Sequence, residues 1–472
     1  MSLHIPFDNS YARLPEGFYT KLAAAPVREP RLIAFNQPLA ELMGITGANE
    51  ESLTQLFSGN QTLEGSEPLA QLYAGHQFGH YNPQLGDGRA LLLGETVGQD
   101  GQRRDIQLKG SGPTPYSRNG DGRSWLGPVL REYIVSEAMH ALGIPTTRAL
   151  AAVTTGEPVL REQLYPGGIL TRVAKSHIRV GSFQVFSARR DETALKTLLE
   201  YTISRHYPEA DGPLGLLKAV IEAQSRLIPQ WMGVGFIHGV MNTDNCQIAG
   251  ETIDYGPCAF MDSYHLQKVF SSIDQFGRYA YGNQPDIIVW NMAQLATALV
   301  PLMPDQDEAI DLFTQAVHAM PTLLQANWLK VFAAKIGISD PEPDDEALIK
   351  DLLSRMEEGQ ADFTNTFAAL ESPSARDQFL NPERFDEWHQ DWAQRIKGLP
   401  DVEATLHSAN PLLIPRNHRI EEMIQAAVGG DYAPFHRLLE AYKSPFSTMP
   451  QNEDLRRPPS EQEMVKATFC GT

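Results

Sequence analysis

The chain has 472 residues, 42% of them hydrophobic and 21% charged, with a formal net charge of −19, an ordinary balance for a globular protein of two or three packed units. That acidic surplus repels phosphate backbones and argues against a nucleic-acid partner, and no apolar run approaches the roughly 18 residues of a membrane helix. Three cysteines make no disulfide framework, and the start M-S-L-H-I-P-F-D-N-S-Y has neither the basic nor the apolar stretch of a secretion signal, so a reducing cytoplasm is the expected setting.

Residues 1–70 read as an irregular N-terminal extension with one helical stretch near Pro38 to Met43. Arg89 to Thr96 and Arg104 to Leu108 read as two strands around a turn at Asp100-Gly101, a hairpin that ends at Lys109. Apolar residues at 130, 133, 134, 138 and 141, with Pro128 near the start and Gly143 at the stop, predict one long helix. Strands are expected again at Arg148 to Thr154, Gly168 to Ala174 and near Phe183. The segment 71–190 is therefore expected to be a β-rich lobe, a mostly antiparallel sheet carrying one helix. Beyond Asp191 the spacing turns helical, over Thr193 to His206, Leu214 to Trp231, Ile287 to Leu302, and from Ala309 onward to Leu439. The expected class is α+β, with a helical core at 191–305 and a C-terminal helical region and tail at 306–472.

The chemistry concentrates between His238 and Gly256, in H-G-V-M-N-T-D-N-C-Q-I-A-G-E-T-I-D-Y-G. Asp244, Asn245 and Asp254 offer hard oxygen atoms, and Mg²⁺ takes one or two such carboxylates while water and substrate phosphates fill its remaining positions. Alternation around Ala249-Gly250 predicts a tight hairpin that returns Asp254 beside Asn245. Upstream, Q-L-G-D-G-R-A offers Gly86 and Gly88 for close backbone approach with Arg89 as a cation, and N-G-D-G-R repeats the pattern at Asp121 and Gly122. Gly-Asp-Gly is also a common turn, but two such turns flanking Lys109 fit a polyphosphate cradle. Lys109 ends a strand, where a lysine is often merely solvated. A carboxylate from the following helix would fix its aim, and the helical wheel places Glu137 in the apolar stripe and Glu132 opposite. Arg172, Lys175, His177 and Arg179 form a cationic knot in an acidic chain, either a salt-bridged strand surface or an anion site in which Arg172 and Arg179 present forked donors. His76 and His238 lack a second histidine at metal-ligand spacing and read as structural, and Cys470 near the end is a free thiol of open purpose.

Taken together, the strings Y-A-G-H-Q-F-G, L-K-G-S-G-P-T-P-Y-S-R, S-E-A-M-H-A-L-G-I-P-T-T-R-A-L, S-H-I-R-V-G, H-G-V-M-N-T-D-N and G-R-Y-A-Y-G-N-Q-P resemble the selenoprotein O (YdiU) family from about residue 7 to 298, with a looser match beyond. The resemblance implies a protein-kinase-like bilobal fold and transfer of AMP from ATP to Ser, Thr or Tyr hydroxyls of protein substrates, with Mg²⁺ or Mn²⁺. It implies that Gly86, Gly88, Arg89, Lys109, Asp121, Gly122, Arg172 and Arg179 contact ATP, that Asp244 accepts the proton, that Asn245 and Asp254 hold the metal, and that Glu132 pairs with Lys109. It further implies an ATP turned end for end relative to ordinary kinases, so that the α-phosphorus faces the nucleophile and the cations hold the tail. The chain has D-Y-G where kinases have D-F-G, and N-T-D-N in place of their catalytic loop. In animal members a selenocysteine lies near the C-terminus, and Cys470 occupies the comparable place. Three other readings share these residues: UMP transfer from UTP, γ-phosphoryl transfer, and a catalytically dead nucleotide-sensing scaffold.

Overall fold

The computed structural model describes residues 2–447 and 449–469, so Cys470 lies outside the described residues. Its centre is an eight-stranded antiparallel sheet. The order along the main path is Tyr19–Lys21, Leu69–Gln71, Ala90–Val97, Arg103–Lys109, Leu164–Ala174, Arg148–Leu160 and Arg31–Phe35, with Ser124–Trp125 paired beside Leu164–Ala174. The predicted hairpin is present, with Ala90 opposite Lys109 and Val97 opposite Arg103. It feeds the helix Leu126–Ala141, after which Gly143 takes φ 79° and ends the helical path.

Both faces of this sheet are covered, so Ala90–Val97 and the first half of Arg148–Leu160 are apolar nearly throughout, whereas Arg103–Lys109 alternates and sets Asp105, Gln107 and Lys109 on one face. On one face Ile106, Leu108, Val153, Ile169 and Val173 pack against Leu39, Met43, Leu53, Leu56 and Phe57 from the first seventy residues. On the other, Ala149, Ala152 and Leu170 meet Leu130, Tyr133 and Ile134 of the long helix, itself backed by Ile420, Met423 and Phe435. Those last residues belong to the helices Asn417–Val428 and Ala433–Ala441. The end of the chain thus returns to brace the first half.

Two expectations are corrected. The N-terminal seventy residues are not an irregular lead-in, since they supply strands along both edges of the sheet and two helices, Gln37–Leu42 and Glu50–Phe57, the second opened by an Asn49/Ser52 capping box. Short edge strands carry too few alternations to be seen in the sequence. Phe183 lies not in a strand but in the helix Val180–Arg189, where Val180, Phe183 and Phe186 at three-residue spacing share one buried face. The strands expected at 148–154 and 168–174 are the inner halves of a longer hairpin, whose outer part exposes Leu160 and Leu164 and so lacks an apolar pattern.

The remainder is helical: Glu192–His206, Gly212–Gly233, Gln284–Leu299 and Gln306–Lys335 pack around a core of Phe183, Leu195, Leu217, Ile228, Phe236, Met292, Leu295 and Phe332. The class is mixed α+β, and no described helix is long and apolar enough to cross a membrane.

Lys335 closes the longest helix inside this core, only 2% exposed, with Nζ donating to Asn410 Oδ1 at 2.9 Å and lying over the Phe363 and Phe367 rings. Burial pushes its ammonium down from 10.5 to about 7. The unfolded chain therefore binds the extra proton across pH 7 to 10.5, so this group makes stability rise with pH in that window and leaves it flat below. Urea midpoints of the parent and of Lys335→Met, measured at pH 7 and pH 9.5, are expected to diverge, with the pH-dependent gain present in the parent and missing from the variant.

Candidate active site

The strand Arg103–Lys109 ends with its lysine pointing into a cleft of about 800 Å³ between sheet and helical body. Lys109 Nζ donates to Glu132 Oε2 and to Asp254 Oδ1, both at 2.6 Å. Arg172, from the neighbouring strand, donates through Nε to Glu132 Oε1 at 2.7 Å and approaches Asp254 at 3.6 Å. Two cations and two carboxylates thus form a closed, nearly dry square. Burial pushes Glu132 up, but Arg172 and Lys109 outweigh it and hold the carboxyl below its ordinary value. For Asp254 burial is again opposed by Lys109, Arg172 and Arg89, which leave it well below the usual carboxylate range.

Glu132 and not Glu137 meets the lysine. Glu137 accepts instead from Arg148 Nε at 2.8 Å and Nη2 at 2.7 Å, and from Asn36 and the Ala149 amide, tying the helix to the sheet. The wheel cannot choose between them because the long helix is buried almost all round, Glu132 included.

The segment 238–256 does not form the expected two-stranded hairpin. It turns at Gly250, with φ 69°, but its two arms pair outward, Gln247 with Arg179 and Thr252 with Thr146. Each arm finds its ladder partner in the rest of the protein. The turn still returns Asp254 to the cleft that Asn245 and Asp244 line. Asn245 Nδ2 donates to Val240 O at 3.0 Å, so Oδ1 is the atom it could offer to a ligand. Asp254 is itself a non-glycine residue at φ 66°, a strained conformation held by its two cations.

Asp244 differs sharply. It is 8% exposed, meets no cation at contact distance, and is pushed up to about 6 by burial, against the opposing hydrogen bond from Gln77 Nε2 to Oδ2 at 3.0 Å. A carboxylate whose proton affinity is raised towards neutrality suits proton transfer.

Gly86, Gly88, Arg89, Asp121, Gly122 and Arg179 all line the same cleft. Gly86, at φ 71°, is pressed against Tyr116, whose ring would lie 2.4 Å from an added Cβ. Loop packing alone therefore demands glycine there. Asp121 is half-exposed at the rim and paired with Arg161 at 2.9 Å. Arg179 lies 3.4 Å from Asp87 and stacks over the Tyr73 ring at 4.2 Å. Lys175 and His177 fall outside the cleft: His177 is fully buried on Asp105 and Lys175 faces Glu251. A larger hollow of about 980 Å³ is lined by Arg103 and Arg205, but these are already neutralised by Asp8 and Asp105. His238 is structural, as read, with Nε2 on Ile253 O at 2.8 Å and its ring stacked on Trp231. Sequence reasoning missed Gln77, Tyr73 and Asp87. The only signal for Gln77 was its place in the Y-A-G-H-Q-F-G string.

A cleft that sets cations against carboxylates and keeps one aspartate of raised proton affinity fits a group-transfer enzyme with an anionic substrate. A family model described as "Protein adenylyltransferase SelO" matches residues 1–443. The protein nucleotidyltransferase YdiU of Ruegeria pomeroyi is 64% identical over 472 residues, covering 100% of both chains. Its namesakes from Roseobacter denitrificans, 63% identical over 472 residues with 100% of both chains covered, and from Agrobacterium fabrum, 53% over 484 residues with 99% of each covered, agree. This chain belongs to the SelO/YdiU family and is a protein nucleotidyltransferase.

The two glutamates of the long helix should separate in experiment. Glu137→Ala strands Arg148 and is expected to lower stability by about 3 kcal/mol while folded protein keeps its transferase activity. Glu132→Gln keeps the volume but unbalances the square, and is expected to lose activity. Urea unfolding beside a transfer assay checks both.

Proposed function

We propose that the protein transfers AMP from ATP to Ser, Thr or Tyr hydroxyls of other proteins, on a protein-kinase-like two-lobed architecture. In that division residues 1–70 are an N-terminal extension, 71–190 the nucleotide-binding lobe, 191–305 the catalytic lobe and 306–472 a C-terminal helical region. The observation that carries the reading is the contrast within one cleft between Asp244, buried with only the neutral Gln77 side chain donating to it among the described residues, and Asp254, held by Lys109 at 2.6 Å and Arg172 at 3.6 Å. One carboxylate is suited to take a proton, the other to stay an anion.

Asp244 takes the proton of the acceptor hydroxyl as its oxygen attacks the α-phosphorus. The new O–P bond forms as the bond between the α-phosphorus and the bridging oxygen breaks, and pyrophosphate leaves with that electron pair. Lys109, Arg172, Arg179 and Arg89 are placed to hold the triphosphate tail, which requires the nucleotide to enter tail first. Gly86, Gly88 and Gly122 shape the loops that line the cleft, each lacking a side chain where the neighbouring loop packs against it. Asp121, an acceptor already paired at the rim, suits a nucleoside hydroxyl or amine better than a phosphate. Asn245 Oδ1 and the Asp254 carboxylate form a hard-oxygen set that fits Mg²⁺ or Mn²⁺, and such an ion would neutralise charge on the phosphates. Glu132 acts through Lys109 and Arg172 by holding both in place.

Labelling of a bacterial protein extract with α-³²P-ATP and γ-³²P-ATP tests the reading. Protein is expected to take label from the first and not the second, and Asp244→Ala is expected to cut labelling by about a hundredfold or more while ATP still binds. Label arriving from the γ position, or from α-labelled UTP in preference to ATP, overturns AMP transfer; undiminished labelling by Asp244→Ala overturns the proton acceptor.

A further inference from the structure

A small ribbon formed by Gly75–Gln77 and His80–Asn82 projects onto the catalytic segment. Its tip, Phe78-Gly79, has positive φ at both residues, 51° and 83°, as a type I′ turn requires. Three successive ribbon residues meet three successive catalytic-segment residues. The His76 amide donates to Thr243 Oγ1 at 2.7 Å, Gln77 Nε2 donates to Asp244 Oδ2 at 3.0 Å, and the Phe78 amide donates to Asn242 Oδ1 at 3.1 Å.

The two residues flanking Gln77 are anchored from other directions. His76 Nδ1 lies 2.9 Å from Gln184 Nε2, whose Oε1 accepts from Thr243 Oγ1 at 2.7 Å, and the His76 ring sits edge-on to Trp290. Phe78 packs on Tyr279, whose hydroxyl donates to Asn242 Oδ1 at 2.6 Å. The Gln77 side chain is therefore delivered by a backbone pinned on both sides. Asp244 has two inequivalent oxygens. Oδ1 is buried against Gly75, where an added Cβ would come within 2.5 Å of it, and it has no hydrogen-bond partner. Oδ2 is held by the Gln77 amide, and both side chains line the cleft.

We propose that Gln77 is a positioning residue for the transfer: its amide fixes the Asp244 carboxylate so that Oδ2, the oxygen not sealed by Gly75, meets the acceptor hydroxyl. The inference rests on Asp244 being the proton acceptor. No other side chain donates to the Asp244 carboxylate among the described residues. Without Gln77 no side-chain hydrogen bond fixes Oδ2, and it loses its aim while the phosphate-holding residues Lys109, Arg172 and Arg179 are untouched. A misplacement of about 1 Å at the reacting atoms is enough for a large loss of rate.

The test uses the full chain, α-labelled ATP and a bacterial protein extract as acceptor. Gln77→Met keeps length and bulk but removes the donor, and is expected to lower the maximal labelling rate by about tenfold or more, with the KM for ATP and the calorimetric ATP affinity within about twofold of the parent. Gln77→Glu, which turns the donor into an acceptor, is expected to fall at least as far and decides the matter if the methionine variant melts early. In the Asp244→Ala background, Gln77→Met is expected to change nothing further. A parent-like maximal rate in both Gln77 variants, a loss confined to KM, or an equal further loss in the Asp244→Ala background overturns the proposal. A parent-like rate in Asp244→Ala itself would instead remove the proton acceptor, a failure visible apart from any effect at Gln77.

Discussion

Four charged side chains are largely withdrawn from water together at the centre of this protein, and they are so in balance, two cations against two carboxylates. Burying a single ion costs several kcal/mol even after relaxation, and a buried pair repays that only when the geometry is good and the remaining donors are used. Lys109 and Arg172 bracket Glu132, and Asp254 closes the square. The members come from two adjacent strands, the long helix and the segment 238–256, so the same contacts that neutralise charge also lock those four pieces in register. They hold Asp254 at its strained positive φ as well. The floor of the site and the junction of sheet and helical body are one structure.

Against that balanced square, Asp244 stands out by what it lacks. It shares a short segment with Asp254 and an acidic side chain of the same length, yet burial dominates one and cations the other. Environment, not residue type, sets the two carboxylates apart, and the proposed division of roles rests on that difference. The division depends on distance: the nearest side-chain donor to Asp244 is a neutral amide, whereas Asp254 is in contact with a lysine.

The periphery serves the same end. The first seventy residues cover one face of the sheet and the last helices cover the back of the long helix. The strands that carry Lys109 and Arg172 are thereby covered on the face away from the cleft, and on the cleft side both cations pair with Glu132 and Asp254. The small ribbon at 75–82 touches residues 242–244 directly and couples the sheet-bearing half to Asp244.

Much of this was legible before any coordinates. Alternation at 89–108, helical spacing at 130–141 and the oxygen-rich string at 244–254 marked the hairpin, the long helix and the candidate ligands, because these patterns report local periodicity and side-chain chemistry. The motif resemblance pointed to Glu132 where the helical wheel favoured Glu137. The sequence by itself determined which residues carry charge and which of the strongly periodic segments are helical or extended, since each follows from neighbours a few positions away. Only the tertiary structure decided that Glu132 takes the lysine while Glu137 takes Arg148, that the 246–254 arms pair outward, that Phe183 is helical, and that Gln77 reaches Asp244. Those outcomes depend on contacts between residues tens to hundreds of positions apart, and on which charges are forced to share the same water-free space.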